Sequence, residues 1–138
     1  MFDHPWVCCS RQGLWLTIFT EQKDAALEKS KDIRENRLPK FFSYFERVLK
    51  KNESEGKGKY LVGGKLTYAD TTLWQVLDGT KFAFPKEFDA RKKDYPLLFE
   101  KFYPGVGAEQ SLKSYLNSKK RLPYSMGLFR HYPELDRQ

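Results

Sequence analysis

The residues with the clearest chemical pattern are Thr67 and Asp70, which lie three positions apart after the glycine pair Gly63–Gly64 and before an apolar run. The Thr67 hydroxyl can accept a hydrogen bond from the backbone N–H of Asp70. The Asp70 carboxylate can in turn accept one from the N–H of Thr67. That carboxylate also faces the positive end of a helix dipole. The spacing predicts a structural capping box that begins a helix at residue 68, which is folding chemistry and not catalysis.

Residue types that perform catalysis or bind metals form no recognisable pattern elsewhere. Cys8 and Cys9 are adjacent, and a disulfide between neighbours would be strained. His4 and His131 are at opposite ends of the chain, so their spacing makes no ligand cluster and predicts no metal site. Gly63–Gly64 lacks the Lys-Ser/Thr of a phosphate-binding loop, and no nucleophile-elbow motif is present. We therefore predict no catalytic residue in this chain.

Length and composition indicate a single globular domain spanning residues 1–138. The chain is 40% hydrophobic, 31% charged and 16% aromatic, which is typical of a globular protein with a substantial core. No segment approaches the roughly 20 apolar residues of a membrane span, and the first residues lack the basic start of a signal peptide. The sequence therefore predicts a cytoplasmic protein with no membrane partner.

The net charge of +7 comes from local groups of basic residues that fall at predicted helix ends or in loops. Cations at helix C-termini complement the helix dipole, so the simplest interpretation is a solvated surface. Such patches can also neutralise phosphates, but no RNA- or DNA-binding motif accompanies them. We therefore predict no nucleic-acid partner.

Hydrophobic periodicity is helical along the whole chain. In the strongest segment, apolar residues recur at steps of three and four with polar residues between them. These apolar positions are Leu38, Phe41, Phe42, Phe45, Val48 and Leu49. A second helical pattern, residues 25–36, precedes this segment. Pro39 either separates two helices or kinks one long helix, and the sequence leaves both open.

Further helices are predicted over residues 68–77, from Pro96 to just before Pro104, and over residues 108–118. Gly79 and Pro85 bracket the end of the first of these three. Residues 122–138 contain two prolines and several aromatics, which predicts an extended tail packed back on the body. Because no β alternation or hairpin signal appears, the predicted fold is an all-α bundle of about five helices.

The segment Lys59–Asp70, with the sequence KYLVGGKLTYAD, resembles the C-terminal helical domain of the cytosolic glutathione S-transferases. In that family a Tyr-Leu-Val-Gly stretch leads into a Ser/Thr-x-x-Asp capping box that opens the buried central helix. Residues 38–42, 95–98 and 116–124 support the resemblance, which covers about residues 20–135 and is nearest the sigma and mu-like branches.

The resemblance implies a part in glutathione conjugation and glutathione metabolism, with glutathione as cosubstrate. In the family, a thioredoxin-like domain binds glutathione, and the helical domain supplies an apolar slot for the electrophile. The candidate residues for this acceptor side are Trp15, Phe19, Tyr124, Met126 and Phe129. Each of the five is alternatively a core or tail anchor.

The chain also departs from the family pattern. Nothing in it resembles the thioredoxin-like domain, and residues 1–22 cover only the latter part of the first helix, which predicts a truncated product without its own glutathione site. The predicted partners are a thioredoxin-like domain or a full-length homologue, and a homodimer is possible. The alternative function is a non-catalytic binding or scaffold module, of the kind found in translation elongation factor subunits.

Overall fold

The longest helical rod begins at Lys23 and ends at Ser54 in a computed structural model that describes residues 23–124, 129 and 132–138. It consists of α1, Lys23–Asp32, a π-helical turn, Ile33–Arg37, and α2, Leu38–Ser54. Four shorter rods follow: α3, Tyr68–Ala83; α4, Pro85–Arg91; a π-helical turn, Leu97–Phe102, continuing into α5, Tyr103–Gly107; and α6, Gln110–Leu116. A 3-10 turn, Pro133–Leu135, lies near the C-terminus. Within the described residues there are five helical rods and no strand, which confirms the predicted all-α bundle.

Pro39 does not separate two helices, because α1 and α2 are joined by the π-helical turn that ends two residues before it. In a regular α-helix the proline ring would clash with the carbonyl of Glu35, four residues earlier. The π turn, which contains Glu35, widens the helix at that carbonyl. Pro104 has the same relation to the π turn before α5. The prediction that this later helix ends before Pro104 was therefore wrong.

The buried core is built around α3. Leu73, Trp74 and Leu77 of this helix are buried. They pack with buried residues of α2, α4, the Leu97–Phe102 turn and α5, namely Phe42, Leu49, Phe88, Leu98, Phe99, Phe102 and Val106. The aromatic rings of Phe42 and Phe88 both meet Phe99 edge to face, at centroid distances of 5.1 and 4.7 Å. The predicted central position of α3 follows from apolar residues on more than one of its faces.

Helix α4 is an element that the sequence pattern did not predict. Pro85 does not only follow the end of α3, because it also occupies the first turn of α4, where its missing N–H costs nothing. Helix α3 also continues past Gly79 and ends at Ala83, beyond the predicted end at residue 77. Two neighbouring helices therefore occupy residues 68–91, where the sequence pattern predicted only the helix over residues 68–77.

Asp70 joins the start of α3 to the loop that precedes it. Both hydrogen bonds of the capping box are present, and the backbone N–H of Thr67 donates to the Asp70 carboxylate at 2.8 Å. The Thr67 hydroxyl donates to the same carboxylate oxygen at 2.7 Å, and the N–H of Leu61 donates to the other at 2.8 Å. Asp70 is fully buried, so these three donors are what stabilise its carboxylate there.

Two other polar side chains hold distant segments in the same way. Asn52, near the end of α2, donates to the carbonyls of Tyr60 and Leu61 at 2.8 and 2.9 Å. Glu46 accepts from the N–H groups of Leu97 and Leu98 at 3.0 and 2.8 Å, and so caps the π turn that begins there. Side chains of α2 therefore fix the backbone both before and after α3.

Replacing Asp70 with alanine tests this connection. We expect Asp70→Ala to lower the free energy of unfolding by about 2–4 kcal/mol, because it removes a helix cap and leaves the partly buried N–H of Leu61 without its carboxylate acceptor. Chemical denaturation measures the change. The control is Asp89→Ala, which removes an exposed ion pair with Lys92 and should change stability by less than about 0.5 kcal/mol. Equal effects of the two substitutions would contradict the prediction.

Candidate functional site

The most connected polar group on the C-terminal half of α3 is Asp78. The Tyr103 hydroxyl donates to one oxygen of its carboxylate at 2.6 Å. The Tyr124 hydroxyl and an Arg121 guanidinium nitrogen donate to the other oxygen at 2.7 and 2.9 Å. Gln75, one turn earlier in α3, donates to the Tyr124 oxygen at 3.1 Å. One carboxylate thus holds both α5 and the beginning of the C-terminal tail against α3.

Burial and Asp78 together keep both tyrosine hydroxyls neutral. Burial raises the pKa of Tyr124 to about 12, helped by its hydrogen bond to the negative Asp78 and opposed by Arg121. Burial raises the pKa of Tyr103 further, again with the help of Asp78. Because a neutral phenol donates a hydrogen bond and an ionised one cannot, both tyrosines act as donors to Asp78 at ordinary pH.

An aromatic cluster surrounds the Tyr124 ring on the side of α3. The Tyr124 ring stacks on Phe82 at a centroid distance of 4.9 Å and meets Phe129 edge to face at 5.9 Å. Phe129 lies directly against the backbone of α3 at Gly79, where an added Cβ atom would overlap the ring. Glycine at this position is therefore required by the approach of Phe129, and not by an unusual backbone angle.

The far end of the tail is held by a second set of charges. Asp136 is buried and accepts from the N–H groups of Lys86 and Glu87 at 2.8 and 3.1 Å, so a tail residue caps α4. Glu87 accepts from Arg91 at 2.7 Å and from Arg137 at 2.8 Å. Burial would raise the pKa of Glu87, but the hydrogen bonds from Arg137 and Arg91 outweigh it and lower that pKa. The tail is thus fixed on both sides of Phe129.

This arrangement offers apolar aromatic surface beside polar groups that are already paired. Tyr124, Phe129 and Phe82 present ring faces and edges, which suit an apolar or aromatic ligand. Asp78 orients the Tyr124 ring through its hydroxyl, and Phe82 and Phe129 pack on that ring. The Tyr124 hydroxyl donates its proton to a hydrogen bond with Asp78, and the pKa of Tyr124 is high. The cluster is therefore suited to binding and positioning a ligand, not to proton transfer.

Two of the five candidate acceptor-side residues are brought together by the fold, namely Tyr124 and Phe129. Trp15, Phe19 and Met126 lie outside the described residues. The sequence analysis did not single out Asp78, Tyr103 or Arg121. One signal was available, because an acidic residue within a buried helix needs donors from elsewhere in the chain.

A separate open groove of about 350 Å³ lies between the end of α2 and the π turn before α5. Its apolar floor is formed by Leu49, Leu97 and Phe102, and Glu53, Lys59 and Lys101 stand at its edge. None of the candidate residues lines this groove. Its lysines are paired, Lys59 with Glu109 and Lys101 with Glu53, both at 2.7 Å.

In the described part of the chain, no three side chains of the metal-ligating types stand close enough together to hold an ion. None of the helices described is both long and apolar enough to cross a bilayer.

Comparison with known proteins gives consistent matches. A protein-family profile described as "Glutathione S-transferase, C-terminal domain" matches residues 10–119. The "Glutathione S-transferase" of Plasmodium falciparum (isolate 3D7) is 32% identical over 89 residues, which are 63% of this chain and 40% of that protein. The protein of the same name from Plasmodium yoelii yoelii is 30% identical over 87 residues, which are 63% of this chain and 37% of that protein. The chain therefore spans about two fifths of the length of these curated relatives.

The first prediction from this site concerns ionisation. Asp78→Asn removes the negative charge and should lower the pKa of both Tyr103 and Tyr124 toward the ordinary value of about 10. The pKa of Tyr124 is higher in the folded protein than in the unfolded chain, so the hydrogen bond from its neutral hydroxyl stabilises the fold. This contribution is fully present below about pH 10 and is lost as the pH rises through the folded-state pKa of about 12.

Ultraviolet titration of tyrosinate measures the effect. At about pH 11, between these two values, Asp78→Asn should show more ionised tyrosines than the unchanged protein. Asp32→Asn is the control, since Asp32 is exposed and accepts only from Asn36. Identical titration curves for Asp78→Asn and the unchanged protein would contradict the assigned hydrogen bonds.

The second prediction concerns the contact between Phe129 and α3. Gly79→Ala should lower the free energy of unfolding by about 1–3 kcal/mol through overpacking, although alanine favours helix by about 1 kcal/mol. Gly64→Ala is the control, because a Cβ atom there meets open space. Denaturation midpoints compare the two variants. A Gly79→Ala protein as stable as the original would mean that Phe129 does not pack on α3.

Proposed function

The chain belongs to the glutathione S-transferase family, where it matches the C-terminal helical domain, and on this premise we propose that it forms the acceptor-substrate side of a glutathione-conjugating site. Glutathione is the cosubstrate in this proposal. Conjugation requires a thiolate near neutral pH, which in turn needs a donor or cation beside the sulfur. A thioredoxin-like domain, or a full-length homologue, supplies these groups and the binding site for glutathione.

The observation that carries the proposal is the position of Tyr124 and Phe129 on α3. Both residues belong to the C-terminal tail, and both rings pack against α3. These contacts are present without a ligand. Tyr124 is held by Asp78 and by the ring of Phe82. A pre-organised aromatic surface binds apolar electrophiles at a lower entropic cost than a mobile one. Trp15, Phe19 and Met126 complete the acceptor slot in this proposal.

The proposed reaction divides the work between two bodies. The helical domain binds the electrophile through apolar contacts and limits its orientation. The partner domain binds glutathione and activates its thiol, so this chain contributes proximity and orientation to the rate. A cytoplasmic location belongs to the same proposal, because the family that the sequence resembles is cytosolic. We include a homodimer as one form in which two copies of the protein could meet.

A second candidate function is a non-catalytic binding module, as in translation elongation factor subunits. The observation that favours it is the exposure of large apolar side chains, with Tyr68 87% and Leu122 82% accessible. Surface of this kind commonly marks protein contacts. A pull-down with the purified chain tests it, since Tyr68→Ser and Leu122→Ser should together abolish capture of a protein partner. Loss of capture with acceptor binding unchanged would favour the module.

Binding of an apolar electrophile tests the first function. The probe is an unreactive product analogue, a dinitrophenyl thioether, which keeps the aromatic part of the electrophile; it is titrated into the purified chain while intrinsic fluorescence is followed. We expect Tyr124→Ala and Phe129→Ala each to weaken binding about tenfold, because each removes an aromatic ring worth roughly 1.5–3 kcal/mol of burial. Tyr115→Ala is the matched control, because this aromatic side chain of α6 is half exposed.

The outcomes separate the parts of the proposal. Equal affinities for the three variants would overturn the acceptor site at Tyr124 and Phe129. The purified chain alone should show no conjugation of glutathione to a chlorodinitrobenzene electrophile. Turnover by the chain alone would overturn the assignment of thiol activation to a partner domain.

A further inference from the structure

The outward side of α2 carries cations and exposed aromatic rings together. Its positions follow the spacing of a single helix face, with steps of three and four residues. We name this set the cationic face: Lys40, Phe41, Tyr44, Arg47 and Lys51 of α2, with Arg37 at the end of the preceding π-helical turn. Phe41 and Tyr44 lie at its centre, and 49% and 53% of their surfaces are accessible. The hydrophobic pattern predicted an inward position for Phe41, but the buried stripe is formed by Phe42 and Leu49.

The charge of this face is largely uncompensated. Arg37, Lys40 and Arg47 form no ion pair with any residue that the structure describes. Lys51 pairs with Glu55 at 3.8 Å, at the end of the helix, and with no other residue of the described part of the chain. Between residues 37 and 52 the sequence has one acidic residue, Glu46, which points inward to cap the backbone at Leu97 and Leu98. The exposed positions of this stretch therefore carry only positive charge.

We propose that the cationic face of α2 binds the surface of an anionic phospholipid bilayer. The cations attract lipid phosphates and carboxylates, and the two aromatic rings enter the headgroup region beside them. Aromatic side chains favour this region because the apolar ring contacts the lipid chains, while the polar tip of a side chain such as tyrosine stays in contact with water. This proposal is independent of the acceptor site at Tyr124 and Phe129.

Shape and size favour a lipid surface over other anionic partners. From Arg37 to Lys51 the face is about 21 Å long, at a rise of 1.5 Å per residue. It is as wide as a single helix, which is about 10 Å. Its six residues are far fewer than the roughly 20–30 that each partner contributes to a stable protein interface. Single-stranded nucleic acid is usually held in a positively charged groove, whereas the side of a single helix is convex. A broad, fluid anionic surface requires neither a large interface nor a groove.

The contact differs from insertion into a membrane. No described helix can span a bilayer, so the chain would lie on the surface and leave as salt increases. The expectation of no membrane partner followed from the absence of a membrane span and of a signal peptide, and neither observation concerns contact with a membrane surface. Each Lys or Arg near an anionic surface strengthens binding about fivefold, so a few such residues suffice for reversible attachment.

Vesicle co-sedimentation of the full chain tests the proposal. Vesicles contain phosphatidylcholine and phosphatidylserine in a three-to-one ratio, or phosphatidylcholine alone, in about 0.1 M salt, where charges act over about 10 Å. We expect binding to the mixed vesicles only. Charge reversal by Lys40→Glu with Arg47→Glu should weaken it at least about 25-fold, because two cations are lost. Phe41→Ser with Tyr44→Ser should weaken it several-fold without changing the salt dependence.

The matched control is Lys113→Glu with Lys119→Glu, which changes the net charge equally at exposed positions outside α2. It should alter affinity less than twofold. All three double variants change exposed side chains, and their thermal unfolding checks that they fold. An equal loss of binding in the control would overturn the assignment to α2, and so would binding to phosphatidylcholine alone. Tighter binding to a polyuridine oligonucleotide than to mixed vesicles at the same salt would overturn the choice of lipid.

Discussion

The fold depends on a buried carboxylate that must be satisfied where it lies. Asp70 is inside the core at the start of α3, and water cannot solvate it there. Its donors come from the first turn of its own helix and from Leu61 in the preceding loop. Asn52 of α2 holds the carbonyl of the same Leu61. Placing α3 in the core therefore requires the loop and the end of α2 to be in place as well. Without the loop the Asp70 carboxylate loses a donor, and without the loop carbonyls the Asn52 amide loses its acceptors.

The same principle is used again at Asp78, but there it organises a surface. Asp78 holds Tyr103 of α5 and both Arg121 and Tyr124 of the tail. At the other end of the tail, Asp136 caps α4. The two attachments are made to different helices, and Phe129 lies between them in the chain. The aromatic surface on α3 is therefore a consequence of where buried or half-buried carboxylates find their donors.

The two proposed contacts use different parts of the same rigid core. The acceptor surface depends on the tail against α3, whereas the cationic face belongs to the outward side of α2. Glu46 links the interior to that face, because it turns its charge inward to cap the Leu97–Phe102 turn and leaves the exposed side of α2 positive. One acidic side chain thus contributes to core stability and to surface electrostatics at once.

The amino-acid sequence by itself determined the all-helical fold, the capping box at Thr67 and Asp70 and the family. The fold class and the capping box depend on residues within about four positions of one another, so helical periodicity and cap spacing record them directly. The family is recorded by the longer segment Lys59–Asp70. Only the tertiary structure decided that Pro39 lies within one continuous rod, that Phe41 faces outward, and that Tyr103, Arg121 and Tyr124 meet on Asp78. The last three residues lie 25, 43 and 46 positions from Asp78. No local pattern encodes such pairings, because they arise when packing removes water from a charge and leaves the nearest donors to replace it.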